Sequence, residues 1–232
     1  MDLPDDLQLP LASGAAWWYW LGGRPSLDFV NTLRERWWRN VETLVVGSDL
    51  VAWLERTRLL EAGSGVRCSA TALRAARELR EGIDAAVVAT IAGEPVPVGA
   101  LRTIDGWLSA AVSPSTLARG PDGRPLLEAA SPADPLAHAL GAIALDAAQM
   151  LGTQERSRAR ICASKTCSAR FYDRSPTAGR LWCSMRGCGN VAKARRHRER
   201  ARVAPAAGMP PSPPVAEAPG PDARSAIMPR TS

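Results

Sequence analysis

The sequence predicts a mainly α fold of the α+β kind: a helical N-terminal domain with a small β-hairpin, then a small four-cysteine module. Three observations carry this. Apolar residues recur at helical spacing through most of residues 14–155. The tripeptide "PDG" interrupts that spacing once, between two short arms. Four of the five cysteines crowd into residues 162–188.

Residues 1–13 are acidic and proline-broken, and are expected to be flexible. In "AAWWYWLGGRPSLDFVNTLRERWWRN", Pro25 and Ser26 start a helix that carries Leu27, Phe29, Val30 and Leu33. Five of the eight tryptophans, Trp17, Trp18, Trp20, Trp37 and Trp38, lie in this stretch. That is more than one small core hides easily, so a ligand pocket or a dimer face is expected to use some of them. In "GSDLVAWLERTRLLEAG", Ser48 or Asp49 is the expected N-cap. Leu50, Trp53, Leu54, Leu59 and Leu60 form the apolar face, and Gly63 is the stop. A longer helix is predicted over "SATALRAARELREGIDAAVVATIAG" and another amphipathic one over "VGALRTIDGWLSAAV". The hairpin falls on "STLARGPDGRPLLEA", and a last helix of this domain on "LAHALGAIALDAAQMLG". The resulting plan is a flexible 1–13, a helical domain 14–155, a cysteine module with a basic helix 156–203, and a tail 204–232. The tail is so rich in Pro, Ala, Gly and Ser that disorder is expected.

Charge is unevenly placed. Residues 156–202 hold 14 Lys and Arg against Asp173 and Glu199, a net of +12, which leaves 15 basic and 21 acidic residues elsewhere. A basic module on a mildly acidic body points to a polyanionic partner; a solvated tail is the plainer alternative. The N-terminus lacks the basic and apolar regions of a secretory signal, and no apolar run approaches the roughly 20 residues that span a bilayer. A cytoplasmic protein without membrane contact is expected.

Cys162, Cys167, Cys183 and Cys188 form two C-x4-C pairs separated by fifteen residues. Two short cysteine loops at this distance can place four thiolates at the corners of a tetrahedron, the geometry of structural zinc. The module needs such a staple, because Ile161, Phe171, Tyr172, Leu181, Trp182 and Met185 are nearly its only large apolar groups. Disulfides or free thiols are the alternatives, against which stands a reducing cytosol. Four protein ligands close the coordination sphere, so the metal would be structural and not catalytic. Cys68, alone, is expected to be a small packing residue.

The run "RICASKTCSARFYDRS", followed by "RLWCSMRGCGNVAKARRHRER", closely resembles the CGNR zinc finger, whose second cysteine pair leads into C-G-N-R and a basic K-x-R-R stretch. Cys188, Gly189 and Asn190 match, but Val191 stands where the family has arginine. This removes one candidate phosphate contact and leaves Lys193, Arg195 and Arg196. The segment "PSLDFVNTL" resembles the signature of the ABATE domain that precedes this finger. Together the two resemblances cover about residues 20–200. They imply zinc as cofactor, and a bacterial stress-induced transcriptional regulator that binds DNA.

On a helical wheel Lys193, Arg196, His197 and Arg200 form one stripe, and Arg195, Arg198 and Arg202 lie nearly opposite. A helix without an apolar stripe cannot dock on a core along its length. Cations on two faces suit a DNA major groove, whose two walls are lined by phosphates. Lys193, Arg195, Arg196, Arg198 and Arg200 are therefore the candidate nucleic-acid contacts, and Arg174, Arg180 and Arg186 would add backbone contacts from the finger loops. Asn190 is the expected N-cap. Structured RNA is the alternative partner, and an acidic protein partner a third.

In the first domain, Asp28 and Asn31 share one helical face and are candidates to line a small-molecule pocket; otherwise they cap and brace the first helix. A sensory or dimerising role is expected of this domain, and a homodimer would supply the extra contacts that a single finger lacks. His138 is expected to be structural. No P-loop, G-x-G-x-x-G, G-x-S-x-G or H-E-x-x-H motif occurs, so no enzymatic activity is expected.

Overall fold

The computed structural model of the chain describes residues 18–113 and 115–203. The expected flexible start, Trp17 and the expected tail 204–232 lie outside these residues. Two compact units divide at Ala194 and Arg195. The first holds the helical domain together with all four clustered cysteines.

Its elements run α1 (Pro25–Val30), β1 (Leu33–Arg34), β2 (Val41–Glu42), α2 (Gly47–Arg56), α3 (Ala70–Ala92), α4 (Val98–Leu108), a 3-10 turn (Ser109–Ala111), β3 (Ser115–Arg119), β4 (Pro125–Ala129) and α5 (Pro135–Leu151). After a second 3-10 turn come β5 (Ala159–Ile161), β6 (Arg170–Tyr172), a π-turn (Met185–Gly189) and α6 (Asn190–Val203), which crosses the division between the units. The strands form three separate antiparallel pairs, β1–β2, β3–β4 and β5–β6. The long helix and the hairpin stand where their sequence signals lie. Ser69 caps α3, Gly93 ends it with a left-handed backbone (φ 72°), and β3 and β4 flank the "PDG" turn in register from Ser115–Ala129 to Arg119–Pro125.

The core is the apolar face of α3 and α5 closed by α1 and α2. Leu27, Phe29, Trp53, Leu54, Leu79, Ile83, Leu140 and Ile143 are fully or almost fully buried in it. Trp20 stacks on Trp53 at 5.8 Å, and Phe29 tilts against the same ring at 5.3 Å. Trp18 and Trp20 thus extend the core, whereas Trp37 and Trp38 stay more than half exposed. Helix α1 is fixed from far along the chain. The Asp146 carboxylate of α5 accepts from the Ser26 amide at 3.0 Å and from its hydroxyl, and it also pairs with Arg24.

Two details of α2 differ from the sequence expectation. The helix starts at Gly47, and Val46 is its cap residue; Asp49 sits at the third helical position and accepts from the amides of Val45 and Val46 at 2.7 and 2.8 Å. Gly47 makes the early start feasible, because a Cβ there would lie 2.2 Å from the Cys68 carbonyl oxygen. The helix also ends well before Gly63. The Thr57 hydroxyl bonds the Trp53 and Leu54 carbonyls, Arg58 turns left-handed (φ 61°), and the amides of Leu59 and Leu60 fold back onto the Leu54 carbonyl. Neither Leu59 nor Leu60 is helical, yet both still pack on the core.

Helix α5 crosses the end of α4 very closely, and Gly141 allows this: an added Cβ would meet the Ala111 backbone nitrogen at 2.5 Å. Backbone atoms yield less than side chains, so Gly141→Ala should cost about 2–3 kcal/mol despite alanine's better helix propensity. Urea unfolding of the two proteins measures the difference.

Candidate metal centre and nucleic-acid interface

β5 and β6 pair in register, with Ala159 opposite Tyr172 and Ile161 opposite Arg170. The hairpin loop between them carries the first cysteine pair. The Cys162 amide donates to the Ala169 carbonyl at 2.9 Å, and the Ala169 amide points at the Cys167 sulfur at 3.5 Å. The second pair is brought alongside by the Ala163 amide, which donates to the Leu181 carbonyl at 2.8 Å. Ser184 then caps the π-turn that holds Cys188, accepting from the Gly187 amide at 3.2 Å. Arg180 braces this segment from inside: its guanidinium donates to the Cys183 carbonyl at 2.7 Å and lies 5.1 Å from the centre of the Phe171 ring. Asp173 fixes the intervening loop by accepting from the amides of Ser175 and Arg180 at 2.9 and 2.8 Å.

As a result, the sulfurs of Cys162, Cys167, Cys183 and Cys188 all lie within 4.8 Å of one another. Cys167 and Cys183 are 3.8 Å apart, and Cys183 and Cys188 3.9 Å. A disulfide needs about 2.05 Å, so these are four free thiols. Corners of a tetrahedron drawn at the zinc–sulfur distance of about 2.3 Å are about 3.8 Å apart, which matches these two separations, so the cluster suits zinc. Charge makes the same point. Neighbouring thiols, Cys167 foremost, hold the Cys162 thiol below its usual range by hydrogen-bonding its ionised form, while contact with Cys162 pushes the Cys183 thiol up. Such a cluster ionises fully only around a cation. Once bound, zinc cross-links the β5–β6 loop to the π-turn; the chain itself supplies all four ligands.

The finger is fastened to the helical domain through Asn31. Its amide donates to the Arg170 carbonyl at 2.9 Å and accepts from the Arg170 amide at 2.9 Å, a two-point clamp on β6. The Tyr172 amide donates to the Gly22 carbonyl at 2.7 Å. The buried Arg170 guanidinium pairs with Asp84 of α3 at 2.7 Å, and the Arg36 amide donates to the Ser168 hydroxyl at 3.0 Å. Nothing in the residue spacing marked Asn31, Arg170 and Asp84 as partners, since all three pairings are more than fifty residues apart.

Asp28 and Asn31 open onto different cavities. Asn31 lines one of about 590 Å³ beside Cys167 and Cys188, with its amide already engaged on β6. Asp28 lines another of about 800 Å³, and its carboxylate accepts from the Gly22 amide at 2.7 Å. Burial pushes the Asp28 carboxyl up to about 7, against the opposing pull of the Gly22 and Leu21 amides. His138 Nδ1 lies 2.9 Å from the Ala110 carbonyl, which gives it a structural partner.

Asn190 does not cap α6. It is already helical, and its side-chain amide donates to the Arg186 carbonyl at 3.1 Å, tying the π-turn to the first turn of the helix. The reason is that the π-turn runs straight into α6, so no extended cap residue intervenes. Along α6, Lys193, Arg195, Arg196, Arg198 and Arg200 are all exposed. Arg195 pairs with Glu199 one turn on, at 3.5 Å. Val191 is 61% exposed, so the departure from arginine leaves an apolar side chain in solvent at the start of the helix.

Four measurements check this site. The full-length protein should carry close to one zinc per chain by elemental analysis. A Cys183→Ser, Cys188→Ser variant should lose both the metal and the folded finger, and a metal-free but folded finger would contradict the assignment. Asn31→Ala strands two buried backbone groups of Arg170 and should cost about 2–4 kcal/mol in chemical denaturation, with zinc content retained. The raised Asp28 carboxyl binds its proton more tightly in the folded state. Its contribution is therefore fully favourable below the unfolded value near 3.8 and is lost as pH rises towards 7. The stability of Asp28→Asn relative to the parent should rise over that window, by up to about 4 kcal/mol, and level off above it.

The comparisons with known proteins agree with this geometry. Residues 23–154 match the ABATE family, described as "Putative stress-induced transcription regulator", and residues 158–201 match the CGNR zinc finger. No curated protein matches the chain. Because the ABATE match spans more than half of the sequence, and the finger match encloses all four clustered thiols, the chain belongs to the ABATE family and carries a zinc-binding CGNR finger behind its ABATE domain.

Proposed function

We propose that this protein is a DNA-binding transcriptional regulator, possessing no enzymatic activity, in which the ABATE domain receives a signal or a second copy of the chain and the finger engages the duplex. The description attached to the ABATE family supports regulation of transcription under stress. The observation that carries DNA binding is the build of α6. It follows directly on the π-turn that holds Cys188, and its cations at 193, 195, 196, 198 and 200 are exposed on both faces with no apolar stripe between them. A helix of this composition is stable against a polyanion that surrounds it, as the phosphates of a major groove do. The closed set of four cysteine ligands supports a structural metal, which stabilises the finger and leaves binding to the side chains. Among the described residues no helix is long and apolar enough to cross a membrane, in keeping with a partner met in the cytoplasm.

The test is fluorescence anisotropy of the zinc-loaded protein with duplex DNA and with structured RNA across a salt titration. If six or seven cations meet phosphates, affinity for duplex DNA should fall roughly a thousandfold between 50 and 200 mM salt. Lys193→Gln with Arg196→Gln and Arg200→Gln should reduce the slope of log affinity against log salt by about three. Tighter binding to RNA at every salt concentration would replace DNA by RNA as the partner, and binding to neither at 50 mM would remove nucleic acid altogether.

A further inference from the structure

The cavity beside Asp28 is walled by arginines from two parts of the sequence. Arg56 and Arg58 come from the end of α2 in the ABATE domain, and Arg174 and Arg186 from the loops of the finger. All four side chains are exposed, and the space they enclose measures about 800 Å³. Arg24, in the same wall, is neutralised by Asp146 and Glu155. Asp28 is the one carboxylate of the wall, and its oxygen is held by the Gly22 amide. Among the described residues no carboxylate lies within ion-pair distance of Arg56, Arg58 or Arg174.

The local backbone places these cations with some care. Arg58 occupies the left-handed position that ends α2, where glycine would be unstrained, and the fold-back of Leu59 and Leu60 onto Leu54 keeps that turn in place. Arg174 is oriented by donating to the Gly23 carbonyl, which leaves its remaining N–H groups for an outside acceptor. Like charges gathered around an open cleft repel one another, and the repulsion is relieved when an anion enters.

We propose that this cleft is a second phosphate-binding surface: Arg56 and Arg58 of the ABATE domain, with Arg174 and Arg186 of the finger, grip the sugar-phosphate backbone of the duplex. The inference rests on the DNA-binding function proposed above and extends it, since it makes the ABATE domain a direct contributor to the interface. Exposed arginines spread over two segments fit an extended polyanion better than a small ligand, which would need enclosure to be held.

The experiment compares the zinc-loaded full-length protein with Arg56→Gln, Arg58→Gln and with a charge-matched control, Arg102→Gln, Arg119→Gln, whose arginines are exposed but lie outside the cleft. A 20-base-pair duplex of mixed sequence is titrated by anisotropy from 50 to 200 mM salt. The cleft variant should bind about tenfold more weakly at 100 mM, with a salt slope lower by about two, while the control changes less than twofold. Cleft and control variants that behave alike would overturn the inference and leave DNA binding through α6 intact. Parent protein that binds no duplex at 50 mM would overturn the proposed function and this inference with it. Calorimetry with inorganic pyrophosphate covers the remaining case: saturable binding abolished in the cleft variant, with duplex affinity unchanged, would show a small-anion pocket and overturn the duplex assignment.

Discussion

Four sulfur atoms within 4.8 Å of one another can all be thiolates only with a cation among them. Residues 159–189 are arranged to meet that condition. The short β5–β6 hairpin presents one pair of cysteines, and the Ser184-capped π-turn presents the other. Phe171 and the half-buried Trp182 supply little more than a lid, since the finger's own apolar cluster is small and borrows Leu21 from the segment before α1. Metal coordination therefore replaces the hydrophobic core that so short a module cannot build.

The same module is anchored to its neighbour by apolar and polar contacts together: Ala159 of β5 and Tyr172 of β6 pack on the helical domain's core, and a set of buried polar links fixes the alignment. Asn31 uses both ends of its amide on one residue of β6, and Arg170 at that position reaches Asp84 on α3. Buried polar links of this kind add less stability than apolar packing, but they fix register: shifting β6 by one residue would break both bonds of Asn31 together. The metal loop is thus held in a defined relation to α1 and α3. Two cavities lie near this junction, one beside Cys188 and one beside Asp28.

The elements written in local chemistry were readable from the sequence. Ser69 and Gly93 bracket α3, "PDG" marks the β3–β4 turn, and the cysteine spacing indicates the metal site. What sequence could not give depends on partners far along the chain. The cap of α1 is Asp146, some 120 residues away, and the role of Asn31 is defined by Arg170. Helix α2 starts early because Gly47 abuts Cys68, and it stops early because Thr57 and Arg58 close it. Asn190 has the composition of a cap, yet it follows a π-turn that is already helical, so its side chain reaches back to Arg186. Arg180 stood out in the sequence only as a candidate contact to a nucleic-acid backbone; that it braces the Cys183 carbonyl is visible only in the fold.

A closed four-thiolate zinc site organises the turn from which α6 begins. X-ray absorption at the zinc edge of the purified full-length protein tests this most directly. A first shell of four sulfur scatterers at about 2.3 Å, with no oxygen or nitrogen neighbour, is expected. A shell containing light-atom ligands, or protein that is fully folded with no zinc edge at all, would contradict it.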